Sequence, residues 1–537
     1  MKKGDEVAAM ETTDTLFRRF EQLNEIGAAL SSERDLNRLL EKILLAAKAI
    51  THADGGTLYL LTQDGQHLHF EIVRTDSLKI ALGGTTGQPI SGLFHDLPLQ
   101  KADGSPNNHL VAAFAANTGQ TVNIPDAYAA EGFDFSGTRA FDQRTGYRSQ
   151  SFLTVPMKNH EGALIGVLQL LNALDPASGG VCVFSQADQR LAESLASQAA
   201  IVLNNRQLLH QLEALFEGFI QAINLAIDDK SPYTGGHCQR VPELTMMLAQ
   251  AVNATQEGPL AQVHLSDKDF YELRIAALLH DCGKVTTPVH VVDKATKLQT
   301  LHDRIHEVDT RWEVIKRDAL VRQWQAMAQG ADAAQAQAEY AAFCVQCDAD
   351  RDFIRRANIG GERMLDADVE RVRQIGRSYH WQTPSGAQAP LLTDEEMDNL
   401  MVRAGTLNGA EREIINHHIV ATIKMLQSLP WPKHLQNVPE YAGGHHERMD
   451  GGGYPRGLKR EQMSWQARMM GIADIFEALT AHDRPYKRAM PLSQALEVLQ
   501  GFKDRGHIDP DLYEVFVRQQ VYRQYAQAFL APEQMDC

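Results

Sequence analysis

The spacing of apolar positions changes character along this chain, and each change marks a candidate domain. From Leu16 to Ile50 apolar residues recur at helical intervals, with Leu23, Ile26, Leu30, Leu36, Leu39, Leu40 and Ile43 on one side. Strand-like runs follow at Thr57–Leu61, Leu68–Val73, Ser151–Met157 and Ala163–Leu171, parted by turns rich in glycine and asparagine. Helix, antiparallel strands, helix predicts an α+β module over residues 18–205, preceded by a tail at 1–17. From Ser185 to about Ile227 the pattern is helical without a break. Within it Leu208, Leu212, Leu215, Phe219 and Ala222 alternate steps of four and three, the spacing of a short coiled-coil seam. That predicts a linker helix over 206–226, either packed on its own domain or paired with a second copy.

Beyond Asp228 the pattern predicts an all-α domain over 227–530, ending in a tail at 531–537. Residues 300–405 interrupt it and read as an insertion, with a charged helix from Arg304 to Gln325 and an Ala/Gln-rich stretch from Ala326 to Ala342. Ile305, Val308, Trp312 and Ile315 make a helical stripe that reads as core. At 537 residues the chain is long for a single core and suggests about three domains.

Composition narrows the classes. Apolar residues make up 44% and charged residues 22%, ordinary for a globular protein. No apolar run approaches the roughly 20 residues that span a bilayer, and the first residues lack the apolar core of a signal peptide. The expectation is a cytoplasmic protein without a membrane partner. Six scattered cysteines do not form a disulfide framework. A net charge of −16 argues against nucleic-acid binding but leaves room for a small phosphate ligand, because bound metal reverses the local potential.

The chemistry concentrates in the helical part. His445-His446-Glu447 runs into Gly451-Gly452-Gly453-Tyr454-Pro455, a stretch that on its own also fits a polar turn. His280-Asp281-Cys282-Gly283-Lys284 closes an apolar run upstream, and Asp474 lies downstream. His237, His280, Asp281, His418, His445, His446 and Asp474 are therefore candidate ligands; imidazole with carboxylate suits iron, manganese, zinc or nickel. An aspartate beside a histidine can bridge two ions about 3.5–4 Å apart that activate water and clamp a phosphoryl group. Lys284 would neutralise remaining phosphate charge. His302 and His306, four apart, read as solvated helix surface, and the lone Cys344–Cys347 pair makes a zinc site improbable.

The ordered set Ser231–Val241, His280–Lys284, His445–Pro455, Ala473–Leu479 and Arg484–Lys487 resembles the HD-GYP family of HD metal-phosphohydrolases. The resemblance implies that the seven candidates bind two divalent ions, iron or manganese, with Asp281 bridging. It assigns catalysis to Asp281 and Lys284, and substrate contacts to Lys284, Tyr454, Arg484 and Lys487. It implies a phosphodiesterase opening the bacterial messenger cyclic dimeric GMP to a linear dinucleotide and, in some members, GMP. Another cyclic dinucleotide, or a receptor that binds without hydrolysis, are the alternatives. Glu411 counted forward gives His418, with His417 adjacent; Tyr233 stands where members with a third metal carry a carboxylate, which favours two.

The first module resembles a GAF domain. Phe141–Ser149, Ser151–Pro156 and Gly166–Asp175 are similar to the cyclic-nucleotide-responsive subgroup, although Ala173 replaces a common lysine. That resemblance implies a small ligand such as a cyclic nucleotide near Asp142, Thr145 and Asn172, regulation of the catalytic domain, and a homodimer.

Overall fold

The computed structural model of the chain describes residues 25–30, 32–33, 35–90, 94–231, 236–361, 363–482 and 489–537. The expected tail at 1–17, Tyr233, Arg484 and Lys487 lie outside the described residues. The chain divides into two compact units, 1–215 and 216–537.

In the first unit the helical pattern around Leu16–Ile50 is not one helix. Residues 25–30 are helical, and a new helix, Leu36–Thr51, starts where the Asp35 carboxylate accepts from Arg38 N at 2.8 Å. An aspartate offered as an N-cap in this way satisfies an orphan helix donor and outcompetes continuation of the preceding turn. The strands are β1 (Ala53–Leu61), β2 (His67–Thr75), β3 (Ile80–Gly83), β4 (Leu97–Pro98), β5 (Val122–Ile124), β6 (Phe152–Lys158), β7 (Leu164–Leu174) and β8 (Val181–Cys182). They form one antiparallel sheet in the order β3-β2-β1-β7-β6-β5, with β4 on β2 and β8 on β7. On one face Leu39, Leu40, Ile43 and Leu44 pack with Leu58, Leu153 and Leu168 and with Leu195 and Ala199 of the long helix Gln186–Lys230. Period-two alternation along β1, β6 and β7 sends these leucines to one side. The result is the α+β architecture expected of this module, an antiparallel sheet flanked by helices.

The second unit is almost wholly helical. Its main core gathers residues from the helices His237–Asn253, Asp267–Leu279, Val438–Gly443, Trp465–Thr480, Pro510–Arg518 and Val521–Phe529. Residues 531–537, expected to be a tail, are mostly exposed but are tethered at Gln534 and Asp536. Gln534 Nε2 donates to the carbonyls of Thr480 and Met490 at 2.9 and 3.1 Å, and the Asp536 carboxylate accepts from Ser493 N and Oγ. A glutamine with two backbone acceptors in reach is held, however polar the segment looks.

The insertion has its own core, in which Val308, Trp312 and Ile315 from the helix Ile305–Ala328 meet Cys347, Ile354, Val372 and Leu392. His302 is exposed and paired with Glu307, and His306 is exposed. Cys344 and Cys347 are free thiols. Trp312 is fully buried, its ring 4.6 Å from that of Tyr379. Trp312→Ala is expected to lower the stability of the insertion by about 3–5 kcal/mol, read as a shift in its urea transition followed by tryptophan and tyrosine fluorescence. The insertion is anchored by Lys294, whose Nζ donates to Glu411 at 2.7 and 2.8 Å and to Asn399 at 3.0 Å. Glu411 closes a capping box with Asn408 at the start of the helix Gly409–Gln427. One carboxylate therefore starts the helix that carries His418 and holds the insertion to it.

Candidate metal centre

Five imidazole and carboxylate groups from helix ends, and two from helix interiors, converge in the second unit. His280 follows the last turn of Asp267–Leu279, His445 and His446 follow Val438–Gly443, and His237 opens His237–Asn253. His418 and Asp474 project from the helices Gly409–Gln427 and Trp465–Thr480. Two ligand groups result, one of Asp281, His418, His445 and His446, the other of His237, His280 and Asp474; within each the ligand atoms lie within 4.8 Å of one another.

Asp281 stands between the two groups. Its Oδ2 is 3.1 Å from both His237 Nε2 and His280 Nε2, and its Oδ1 is 3.2 Å from His418 Nε2. Asp474 Oδ1 approaches His237 Nε2 at 3.2 Å. The other ring nitrogens are occupied in a way that fixes this arrangement. His280, His418 and His445 each direct Nδ1 at the backbone carbonyl three residues earlier (Ala277, Ile415 and Ala442), and His237 Nδ1 meets Glu477 Oε2 at 2.5 Å. A proton held at Nδ1 leaves Nε2 as a bare electron pair aimed inward.

These inward nitrogens crowd one another. His280 Nε2 lies 3.4 Å from His237 Nε2, and His446 Nε2 lies 3.1 Å from His418 Nε2. Electron pairs facing at that distance repel unless a cation sits between them. Ligands about 2.0–2.1 Å from a common ion stand about 2.8–3.4 Å apart along the edges of an octahedron or tetrahedron. Asp281 Oδ1 and His445 Nε2 are buried without a hydrogen bond, which is costly for polar atoms unless something else engages them. The donor set and its spacing thus fit divalent metal.

Burial opposes the charged form of His237, yet Glu477, Asp281 and Asp474 hold its imidazole well above the usual range. The shifts at Asp281, Asp474, His445 and His446 favour ligation. Burial opposes ionisation of Asp281, yet Lys284 and His280 hold its carboxyl well below the usual range. Burial likewise opposes ionisation of Asp474, and His237 overrides it. Burial, with His280, pushes the His445 imidazole down to about 4, so it is neutral and free to bind at physiological pH. Burial, with His445, pushes His446 down too. Lys284 Nζ sits 2.5 Å from Asp281 Oδ2, and the Tyr454 ring stacks on His446 with centroids 4.9 Å apart.

Backbone proximity explains two of the glycines. A Cβ on Gly283 would lie 2.0 Å from the His418 carbonyl oxygen and 2.5 Å from Thr422 N, so only glycine lets the Asp281 turn press against the His418 helix. Gly283 N also donates to Thr422 Oγ1 at 2.9 Å. A Cβ on Gly453 would meet Arg448 N at 2.4 Å. There the loop folds over Glu447, whose buried carboxylate accepts from Arg456 N and Leu458 N at 2.8 Å each. Glu447 organises this loop from beneath.

The pair His417 and His418 separates cleanly, for His418 is buried with Nε2 in the cluster and His417 is exposed. The sequence reading did not assign a role to Glu477 or Arg240. Glu477 is fully buried, accepting from His237 Nδ1 with one oxygen and from Arg240 at 2.7 Å with the other. Its place three residues after Asp474 on one helix was the available signal. Glu477→Gln is expected to weaken metal retention about 10–100-fold, measured by competition with a chelator, while the helical circular dichroism stays unchanged.

In the first unit the structure gives Asp142 and Asn172 internal work. The Asp142 carboxylate accepts from Ser149 N, Ser149 Oγ and Tyr128 Oη, each at 2.8 Å. Asn172, at φ 53°, accepts from Gln150 N and Ser151 N and donates to Arg148 O and Tyr147 Oη. Thr145 Oγ1 donates to Phe141 O. A cavity of about 530 Å³ lies beside them, lined by their neighbours Phe141, Arg144 and Ser149 with Tyr59, Phe70 and Phe152, and none of the three is among its lining residues. Asp142→Ala is expected to destabilise this unit by about 3 kcal/mol, since it strands three donors, seen as a lower first thermal transition.

Comparison with known proteins agrees with both folds. Residues 35–203 match the GAF domain family, and residues 234–339 and 386–512 match two HD domain families. The gap between the HD matches falls in the insertion. The chain carries a GAF domain followed by an HD-type domain. It is 35% identical over 128 residues to 3'3'-cGAMP-specific phosphodiesterase 1 of Vibrio cholerae, covering 24% of this chain and 29% of that protein. Identity is 25% over 301 residues to 3'3'-cGAMP-specific phosphodiesterase 3 of the same organism, covering 56% and 38%. It is 33% over 121 residues to a cyclic di-GMP phosphodiesterase of Thermotoga maritima, covering 22% and 32%. The chain thus spans about a third of the length of these curated relatives. A solved GAF domain from an Acinetobacter phosphoenolpyruvate-protein phosphotransferase is 17% identical, covering 36% of this chain and 98% of that one, with a TM-score of 0.26. Among the described residues no helix is long and apolar enough to cross a membrane.

Proposed function

We propose that the second unit is a metal-dependent phosphodiesterase that opens one ring bond of a cyclic dinucleotide, cyclic dimeric GMP, to give the linear dinucleotide and in a further step GMP. The observation that carries this reading is the pair of ligand groups sharing the Asp281 carboxylate. His237, His280 and Asp474 would hold one ion and His418, His445 and His446 the other, iron or manganese, with Asp281 common to both. Two such ions supply Lewis acidity to a phosphodiester and an activated water for in-line attack.

The chain's own groups then position the substrate. Lys284, charged and beside Asp281, neutralises phosphate. Tyr454, lying flat on His446, offers an aromatic face to a base. Arg484 and Lys487 are assigned substrate contacts on the motif alone.

Two of the three relatives named above are specific for 3'3'-cGAMP, and this similarity favours a second reading in which the hybrid ring is the substrate. The metals bind phosphate and leave the base to other contacts, so both substrates satisfy the same ligand set. Turnover of the two cyclic dinucleotides, side by side with the manganese- or iron-loaded protein and followed as linear product by chromatography, tests the proposal. A higher kcat/KM for cyclic dimeric GMP supports the first reading, a higher one for cGAMP the second, and no product from either overturns both.

The GAF domain is assigned a regulatory role, with a small ligand such as a cyclic nucleotide in its cavity. A homodimer is assigned to the linker helix, where Leu208, Leu212, Leu215 and Phe219 are each more than half exposed (51%, 62%, 56% and 63%). A seam of that spacing is covered when two helices pair.

A further inference from the structure

The insertion holds a second concentration of cationic groups around a cavity of about 240 Å³, built by residues 297–403 and lined by none of the candidate metal ligands. Lys297 lines it and is 3% exposed. Its Nζ donates to the Leu400 carbonyl at 2.9 Å and lies 3.4 Å from Met364 Sδ, and among the described residues no carboxylate pairs with it. Lys294, three residues earlier and equally buried, shows the usual solution, with both Glu411 oxygens on its ammonium. A buried ammonium with only neutral partners is exceptional, because desolvation disfavours its charge. Here burial pushes Lys297 down to about 8.

Arg356, Arg363 and Arg403 complete the cationic lining, against one lining carboxylate among the described residues, Asp368. Arg403 pairs with Asp366 at 2.5 Å, whereas Arg356 and Arg363 have no ion pair among the described residues. The wall is held by backbone: Thr296 bridges Ile359, Gly361 bridges Gly405, and Met364 N donates to Arg403 O at 2.8 Å. The cavity wall is thus formed by backbone, with Lys297 buried in it and Arg356 and Arg363 lining it from exposed positions.

We propose that this cavity binds a small phosphate-bearing anion, with Lys297 as its buried anchor and Arg356 and Arg363 closing on the phosphate oxygens. Guanidinium forks match phosphate geometry, and an entering anion offsets the desolvation of the Lys297 ammonium. The segment that carries Lys297 also carries Lys294, which fixes Glu411 at the start of the His418 helix, so the anion site adjoins the attachment of the insertion to that helix.

The test is the melting temperature of the full chain against rising inorganic phosphate, and separately guanosine 5'-monophosphate, at constant ionic strength. The same titrations are made on Arg356→Ala/Arg363→Ala and on Lys297→Met. The arginine variant changes only exposed side chains and is expected to fold and to keep its phosphodiesterase turnover. The wild type is expected to show a saturable rise, and both variants at least a tenfold weaker apparent affinity, which is about 1.4 kcal/mol or more. Equal responses to the two probes identify free phosphate as sufficient, and a response to the nucleotide alone identifies a nucleotide phosphate. No saturable rise with either probe overturns the proposal. So does an unchanged rise in the arginine variant, which would place the anion elsewhere, at the metal centre for instance. Since the readout needs no turnover, it stands or falls apart from the catalytic reading.

Discussion

Asp281→Ala is expected to abolish metal retention in both ligand groups and to reduce turnover of a cyclic dinucleotide by about a thousandfold or more. The expectation follows from position. Asp281 touches His237 and His280 with one oxygen and His418 with the other, so its loss removes the shared ligand of both groups at once. It also removes the partner of Lys284, whose ammonium then faces the histidines and any incoming cation. Asp281→Asn keeps the shape while removing the charge, and the same loss in that variant separates ligation from folding. Metal per chain by elemental analysis and linear product by chromatography are the readouts; full activity in either variant contradicts the assignment.

The second large effect is expected at a residue that bears no functional group. Gly283→Ala places a methyl 2.0 Å from the His418 carbonyl oxygen and 2.5 Å from Thr422 N, and both obstacles are backbone. Side chains can rotate away from an added methyl, but a helix backbone cannot, so the turn bearing Asp281 must move away from the helix bearing His418. Overpacking in a well-packed site costs typically about 1–3 kcal/mol, and a contact this short belongs at or above the top of that range. Gly283→Ala is expected to lower the second unit's thermal transition and to lose bound metal, while the first unit's transition stays in place. An unchanged transition together with wild-type metal content would show that the close approach is not needed.

Legibility in the sequence followed the range of the physics involved. The seven candidate ligands are visible because histidine next to histidine or aspartate, followed by glycine, is an unusual local composition, and the structure brings all seven together. The choice between His417 and His418 needed the helix orientation, since neighbours on a helix point about 100° apart. Glu477 was hidden for a different reason. Its partner, His237, lies 240 residues away, and the one local signal, its place three residues after Asp474, does not say which group it meets. Asp142 and Asn172 look like ligand-binding polar residues in the sequence; in the structure Asp142 is bonded by Tyr128 and Ser149, and Asn172 by the segment 147–151.

The fold shows the same division. Period-two runs delimit the central strands well, whereas the helix expected from Leu16 to Ile50 is divided at Asp35 by one side-chain cap. The apolar stripe Ile305, Val308, Trp312 and Ile315 announces a core, but its partners Cys347, Val372 and Leu392 are too distant for any periodicity to pair them. The closing segment 531–537 is polar enough to read as a tail, and it is fixed by contacts of Gln534 that only the tertiary structure reveals.

The central claim is that Asp281 joins two metal ions in one centre, and elemental analysis of the wild-type protein after manganese or iron loading and desalting tests it most directly. The account predicts two ions per chain. One ion per chain or fewer, from protein that is folded, would contradict it.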